Sequence, residues 1–124
     1  MQITQREVRG VTIVDLSGRF VLGDGVTDFV ELMNALKHRG QKRILLNFEH
    51  VTYLDSAGVG AIAWKYVTAR RLDSDVKLLN LRPKSHTVLK TTKLLTVLES
   101  FDSEDEAINS FVDRQDDDTN PIFT

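Results

Sequence analysis

The chain has 124 residues, of which 41% are hydrophobic and 27% are charged, so we expect one globular domain with its own hydrophobic core. A net charge of −2 with scattered lysines and arginines argues against nucleic-acid binding, and the absence of cysteine excludes disulfides and thiolate metal sites. The sequence has neither a signal-peptide core nor an apolar run of about 18 residues, so we expect a cytoplasmic protein outside the membrane.

The first third of the chain predicts a β-hairpin followed by a helix. Residues 3–16 contain two runs of alternating character separated by Gly10, which indicates two antiparallel strands. Apolar residues recur at helical spacing over residues 26–37, and Gly40 is the expected end of that helix. Asp24 lies just before this segment, and we expect it to cap the helix.

The middle of the chain predicts a buried strand, a tight turn and a second helix. Residues 44–48 are short and apolar on both faces, as in a strand buried within a mostly parallel sheet. Residues 55–58, DSAG, have turn chemistry, and apolar residues recur at spacings of three and four over residues 59–69. Ser56 is therefore expected at the start of the helix, where backbone N–H groups are unpaired and the helix dipole is positive.

The last third of the chain predicts two further strands and two helices. Residues 76–81 follow a helix and are apolar, so we expect a strand parallel to its predecessor. Pro83 opens a short third helix, and residues 96–99 are expected to form a brief final strand. Ser103 and Glu106 fit a capping box at the start of the last helix.

The order of these elements predicts a single α/β domain over residues 1–112, followed by an acidic, disordered tail over residues 113–124. We expect a mixed sheet of about four to five strands packed with about four helices, antiparallel in its first pair and parallel in its centre. In open sheets of this kind, ligands and partners meet the loops at the carboxyl ends of the strands. The turns at Asp24 and Asp55 are expected to share that rim.

Motifs for enzymes, metals and cofactors are weak in this sequence. The three histidines lie far apart without paired ligands, so we predict neither a metal nor a cofactor. Ser56 lacks the glycine frame of a hydrolase nucleophile elbow, because Leu54 occupies one of its positions. Gly58 and Gly60 match the glycine pattern of a dinucleotide site, but the strand over residues 76–81 lacks the acidic ribose ligand. Close packing of the helix is the preferred explanation, and nucleotide binding stays a less favoured alternative.

Residues 51–60, VTYLDSAGVG, resemble the signature of STAS domains, and in particular that of bacterial anti-sigma factor antagonists. The similarity extends over roughly residues 3–112 and implies a STAS-like fold. It implies a regulatory protein rather than an enzyme. In this family the unphosphorylated antagonist binds an anti-sigma factor, which is a serine kinase, and so releases a sigma factor. Phosphorylation ends the interaction, and a phosphoserine phosphatase restores it.

The resemblance also assigns roles to individual residues. Ser56 is the implied phosphoacceptor, with Asp55 as its flanking acid and Asp24 as the acidic residue of the nearby loop. The implied partner-binding residues are Asp24, Asp55, Ser56, Ala57 and Gly58. This chain has Ala57 where many relatives have a second hydroxyl residue, and glycines on both sides of Asp24 where many have a Leu-Asp pair.

Two questions stay open at this point. STAS domains also act as non-phosphorylated scaffolds, in stress-signalling assemblies or as subunits beside a transporter, and Ser56 would then be only a helix cap worth about 1 kcal/mol. Trp64 lies away from the apolar stripe, either as an exposed anchor for a partner or packed under the third helix. The sequence also leaves self-association undecided.

Overall fold

The computed structural model describes the backbone of residues 1–119 and the side chains of residues 1–111. These residues form five strands, four α-helices and one 3-10 helix. In chain order the elements are β1 (Gln2–Val8), β2 (Val11–Phe20), α1 (Val26–His38), β3 (Arg43–Leu54), α2 (Ser56–Arg71), β4 (Asp75–Leu79), α3 (Pro83–Thr91), the 3-10 helix (Leu94–Thr96), β5 (Ser100–Phe101) and α4 (Glu104–Thr119).

The strands form one sheet in the order β1-β2-β3-β4-β5. β1 and β2 pair antiparallel through a tight turn in which Arg9 and Gly10 have positive φ angles of 50° and 81°. The remaining neighbours pair in parallel. The predicted mixed sheet, with an antiparallel first pair and a parallel centre, is therefore confirmed.

Helices cover both faces of the sheet. In β3, the side chains of Ile44, Leu46 and Phe48 join the cluster beneath α1, α2 and α3, whereas Leu45 joins the cluster beneath α4. This alternation explains why apolar side chains point to both faces of the first half of the strand, since each face is covered by helices.

β2 and β3 are longer than predicted. β2 continues through Gly18, and β3 continues past Phe48, because the two strands stay paired through two register shifts. The buried residues Phe48, Val51 and Leu54 consequently recur at spacings of three rather than two. Because the pairing is irregular, the second half of β3 lacks the strict alternation of apolar and polar residues by which strands are predicted.

The predicted final strand over residues 96–99 is wrong in its position. The left-handed backbone of Lys93, with a φ angle of 70°, leads instead into the 3-10 helix Leu94–Thr96. The strand is Ser100–Phe101, where Asn80 donates its backbone N–H to the carbonyl of Phe101 at 2.8 Å. The position of the strand depends on the length of the segment between α3 and β5. The pattern of apolar residues does not reveal that length.

The last helix begins where the capping pattern predicts. Ser103 Oγ accepts a hydrogen bond from the backbone N–H of Glu106 at 3.3 Å. The helix runs Glu104–Thr119, so helical backbone extends beyond Asp113, where we expected the tail to begin. Residues 120–124 lie outside the described residues, and the disorder expected for the tail stays a prediction. Within residues 1–119, no helix is long and apolar enough to cross a membrane.

Candidate functional site

Asp55 holds the turn between β3 and α2. Its backbone is extended, with φ −104° and ψ −176°, and its Oδ1 accepts a hydrogen bond from the N–H of Gly58 at 2.9 Å. Asp55 is therefore the N-cap of α2, and Ser56 is the first residue of the helix. The alternative in which Ser56 itself caps the helix is wrong, because the neighbouring carboxylate occupies that role.

The second carboxylate oxygen of Asp55 reaches the loop that precedes α1. Oδ2 accepts a hydrogen bond from the backbone N–H of Leu22 at 3.1 Å. Hydrogen bonds from Gly58 and Leu22 lower the pKa of Asp55, because both N–H groups favour the ionised carboxylate. One side chain thus joins the two loops at this edge of the sheet, and the expectation that they share a rim is confirmed.

Ser56 is exposed at the beginning of α2, a helix of 16 residues. Among the described residues, no group is hydrogen-bonded to its hydroxyl. The backbone N–H groups of Ser56 and Ala57 have no helical acceptor, since they belong to the first turn. The Ser56 hydroxyl is therefore accessible at the positive end of the helix dipole.

The two glycines of the first turn of α2 have different roles. A Cβ atom on Gly58 would lie 2.5 Å from the carbonyl oxygen of Phe20 and 2.7 Å from the side chain of Leu54. Gly58 is therefore needed for close contact between α2 and the ends of β2 and β3. A Cβ atom on Gly60 would have nothing within 4 Å. The packing explanation for the glycine pair holds for Gly58 alone.

Asp24 does not cap α1, so that prediction is wrong. The N-cap residue is Gly25, one position later, and it makes no side-chain capping bond. Asp24 Oδ1 instead accepts a hydrogen bond from the ammonium group of Met1 at 2.7 Å, which lowers the pKa of Asp24. Asp24 lies in the same loop as Leu22, but within the described residues it forms no hydrogen bond with residues 55–58.

Leu22 and Trp64 are the two most exposed large apolar side chains among the described residues. Leu22 is 75% exposed. The sequence motifs did not indicate it as a partner-binding residue, although an apolar residue beside a loop glycine can indicate an exposed contact. Trp64 is 62% exposed, so the alternative in which it packs under α3 is wrong. Exposed apolar side chains beside a charged turn are common in protein-binding surfaces.

Within residues 1–111, no group of three or more His, Asp or Glu side chains lies close enough together to hold a metal ion. The site consists instead of a capped helix start, an exposed hydroxyl and a neighbouring loop.

The chain matches the family model of the STAS domain over residues 2–107. It is 27% identical over 110 residues to a protein named anti-sigma F factor antagonist from Paenibacillus polymyxa, with 87% of this chain and 92% of that protein covered.

The fold is similar to that of the anti-sigma factor antagonist SpoIIAA in its unphosphorylated form, with a TM-score of 0.75 and 21% identity over 89% of this chain and 96% of that one. It is also similar to the phosphorylated form of Bacillus SpoIIAA, with a TM-score of 0.70 and 21% identity over 89% of this chain and 99% of that one. At this level of identity the likeness shows that the fold is shared.

Proposed function

This chain belongs to the STAS domain family, and from that premise we propose that it is an anti-sigma factor antagonist controlled by phosphorylation of Ser56. The unphosphorylated form binds an anti-sigma factor with serine kinase activity in the cytoplasm and thereby releases a sigma factor. Phosphate on Ser56 ends this complex, and a phosphoserine phosphatase restores the binding form. The names of the relatives and the existence of SpoIIAA in both forms support this proposal.

The observation that carries the proposal is the division of roles between Asp55 and Ser56. Asp55 caps α2 through its hydrogen bond with Gly58, so the Ser56 hydroxyl is not needed to hold the helix. The hydroxyl is exposed at a fixed backbone position, which a kinase can reach without unfolding the domain. A serine whose purpose is capping would turn its hydroxyl toward the helix N–H groups.

Phosphorylation at this position changes the charge of the surface without requiring a change of fold. A phosphate adds about −1.5 to −2 charge, and the positive end of the helix dipole at the start of α2 favours that charge. A docked partner would meet this charge beside the ionised carboxylate of Asp55. If repulsion between these charges and the partner removes about 3 kcal/mol of binding free energy, affinity falls more than a hundredfold.

We propose that the partner binds the turn and the adjoining loop. The surface comprises Asp24, Asp55, Ser56, Ala57 and Gly58 together with the exposed side chain of Leu22. The hydrogen bond between Leu22 and Asp55 fixes the loop against the turn, so the partner meets a prearranged surface.

Intact-mass analysis of the protein from its native cells tests this proposal. We expect a phosphate adduct in the original chain and in Thr52→Ala, which removes a nearby exposed hydroxyl on β3, and no adduct in Ser56→Ala. In a pull-down, Ser56→Ala should retain the anti-sigma factor, whereas Ser56→Asp should lose it. Absence of the adduct under all growth and stress conditions contradicts the switch and favours a scaffold with constitutive docking.

A further inference from the structure

A cavity of about 190 Å³ lies between the second halves of α1 and α2. It is at the opposite end of α2 from the phosphorylation turn, since Lys65 follows Ser56 by nine residues, or about 14 Å of helix. Its apolar wall includes Met33, Ile44 and Leu72, and its polar wall includes Asn34, Lys65 and Ser74. At about 30 Å³ for each water molecule, the volume corresponds to about six waters, which is the size of a small organic molecule.

Lys65 is a buried cation in the wall of this cavity. The residue is only 7% exposed, and its Nζ donates a hydrogen bond to Asn34 Oδ1 at 2.6 Å. It forms no ion pair with a carboxylate among the described residues. Burial, together with the neighbouring charge of Lys37, lowers the pKa of Lys65. An ammonium group has three donors, and a single neutral amide leaves its charge uncompensated.

Ser74 supplies a second unused donor. This residue is also only 7% exposed and lines the same cavity, and its hydroxyl has no hydrogen-bond partner among the described residues. No completely buried side-chain N or O atom of the described residues lacks a partner, so the Ser74 hydroxyl keeps some accessible surface. Lys37 and Lys42 also line the cavity, and its lining residues include neither Asp nor Glu.

We propose that this cavity is a binding site for a small organic carboxylate, whose oxygens are held by Lys65 Nζ and Ser74 Oγ and whose aliphatic part packs on Met33 and Leu72. The carboxylate supplies the oppositely charged partner that the buried ammonium of Lys65 lacks. The apolar wall favours an acid with a short carbon chain over an inorganic anion. The site is independent of phosphorylation at Ser56, because it uses different residues at the other end of α2.

A titration of the ¹⁵N-labelled chain with butyrate tests the site, with neutral butyramide as the matched ligand. We expect butyrate to shift the amide signals of Asn34, Lys65 and Ser74, and butyramide to leave them unchanged. Lys65→Met and Ser74→Ala should each weaken binding at least about tenfold. Lys90→Met removes an exposed lysine on α3 and should bind butyrate like the original chain. Ser74→Ala provides the test if Lys65→Met fails to fold.

A second measurement separates ligand binding from a purely structural role of Lys65. The pKa of its side chain, measured by ¹³C NMR at Cε, should rise when butyrate is bound, because the carboxylate favours the charged ammonium. Ser56→Ala should give the same rise, so failure here leaves the phosphorylation proposal untouched. Equal shifts with butyramide, an unchanged pKa of Lys65, or no shifts up to about 50 mM butyrate would overturn the inference.

Discussion

The carboxylate of Asp55 lies 2.9 Å from the backbone nitrogen of Gly58 and accepts its hydrogen bond. Asp55 caps α2, and Gly58 lets α2 pack closely against the sheet, so the two roles are joined in one contact. The cap restrains the first turn, and the missing side chain of Gly58 lets that turn approach the carbonyl of Phe20. Ser56 lies between these two fixed points. The turn therefore presents its hydroxyl on a rigid support rather than on a free loop.

Substitution of the two glycines by alanine should have opposite effects on stability. In Gly58→Ala the added methyl group would lie 2.5 Å from the Phe20 carbonyl oxygen, and we expect a loss of about 1–3 kcal/mol in the free energy of unfolding. Gly60→Ala adds a methyl group in open space within a helix and should gain about 0.5–1 kcal/mol. Urea denaturation measures both. Equal stability of the two variants would contradict this account of the turn.

Removal of the Asp55 carboxylate should loosen both loops of the site. Asp55→Ala is expected to lower the free energy of unfolding by about 1 kcal/mol, because it removes the helix cap. It also removes the acceptor for the N–H of Leu22, so amide hydrogen exchange at Leu22 and Gly58 should accelerate. Asp55→Asn keeps one oxygen to accept from Gly58 but replaces the other with an amide nitrogen, which cannot accept from Leu22, so it should accelerate exchange at Leu22 and spare Gly58. Unchanged protection of both amides in Asp55→Ala would show that other contacts hold the loops.

Local patterns predict most of the fold because the physical causes are themselves local. Gly10 and Gly40 have positive φ angles of 81° and 74°, and both lie where the sequence predicts a turn and a helix end. The apolar run of residues 44–48 identifies a strand with both faces covered, as the two core clusters confirm. The candidate site was located for the same reason, since turn residues between a strand and a helix fix the position of Ser56.

Tertiary contacts decide the features that the sequence did not reveal. Lysine side chains are rarely buried in proteins, yet Lys65 and Lys77 are both buried here. Lys77 lies 4.7 Å from the ring centroid of Phe111, a residue of α4 that is distant in the chain. Asp55 and Ser56 are both good capping residues, and the extended backbone of Asp55 decides between them. Such details depend on neighbours that a local pattern does not contain.

The ion-pair cluster around Arg6 should make stability depend on pH. Arg6 lies 2.6 Å from Glu104 and 2.8 Å from Asp15, so it links the hairpin to α4. Its hydrogen bond lowers the pKa of Glu104 below the ordinary value, which is about 4.3. The ion pair therefore stabilises the fold fully when the pH is above the ordinary pKa of a glutamate. This stabilisation is lost as the pH falls through the lower pKa that Glu104 has in the folded state.

Arg6→Met should therefore lower the free energy of unfolding by about 0.5–1 kcal/mol at neutral pH and low salt, since the pairs are partly exposed and screened. The difference from the original chain should shrink as the pH approaches about 3. Arg71→Met, which alters an exposed arginine without an ion pair among the described residues, should show no such dependence. Urea denaturation at several pH values measures the difference. A constant difference across this range would contradict the assigned role of Glu104.

The exposed side chain of Leu22 should contribute to partner binding and not to folding. If the anti-sigma factor covers the loop and turn, Leu22→Ser should weaken its binding at least about tenfold, because an apolar anchor beside the switch is lost. Val97→Ser is the matched control, since Val97 is 52% exposed. Val97 lines a pocket together with Arg70, which lies at the end of α2 opposite to the turn. Both variants should keep the original urea midpoint. The affinities are measured by calorimetric titration with the partner protein that Ser56→Ala captures. If Leu22→Ser and Val97→Ser weaken partner binding equally, Leu22 is not a specific contact.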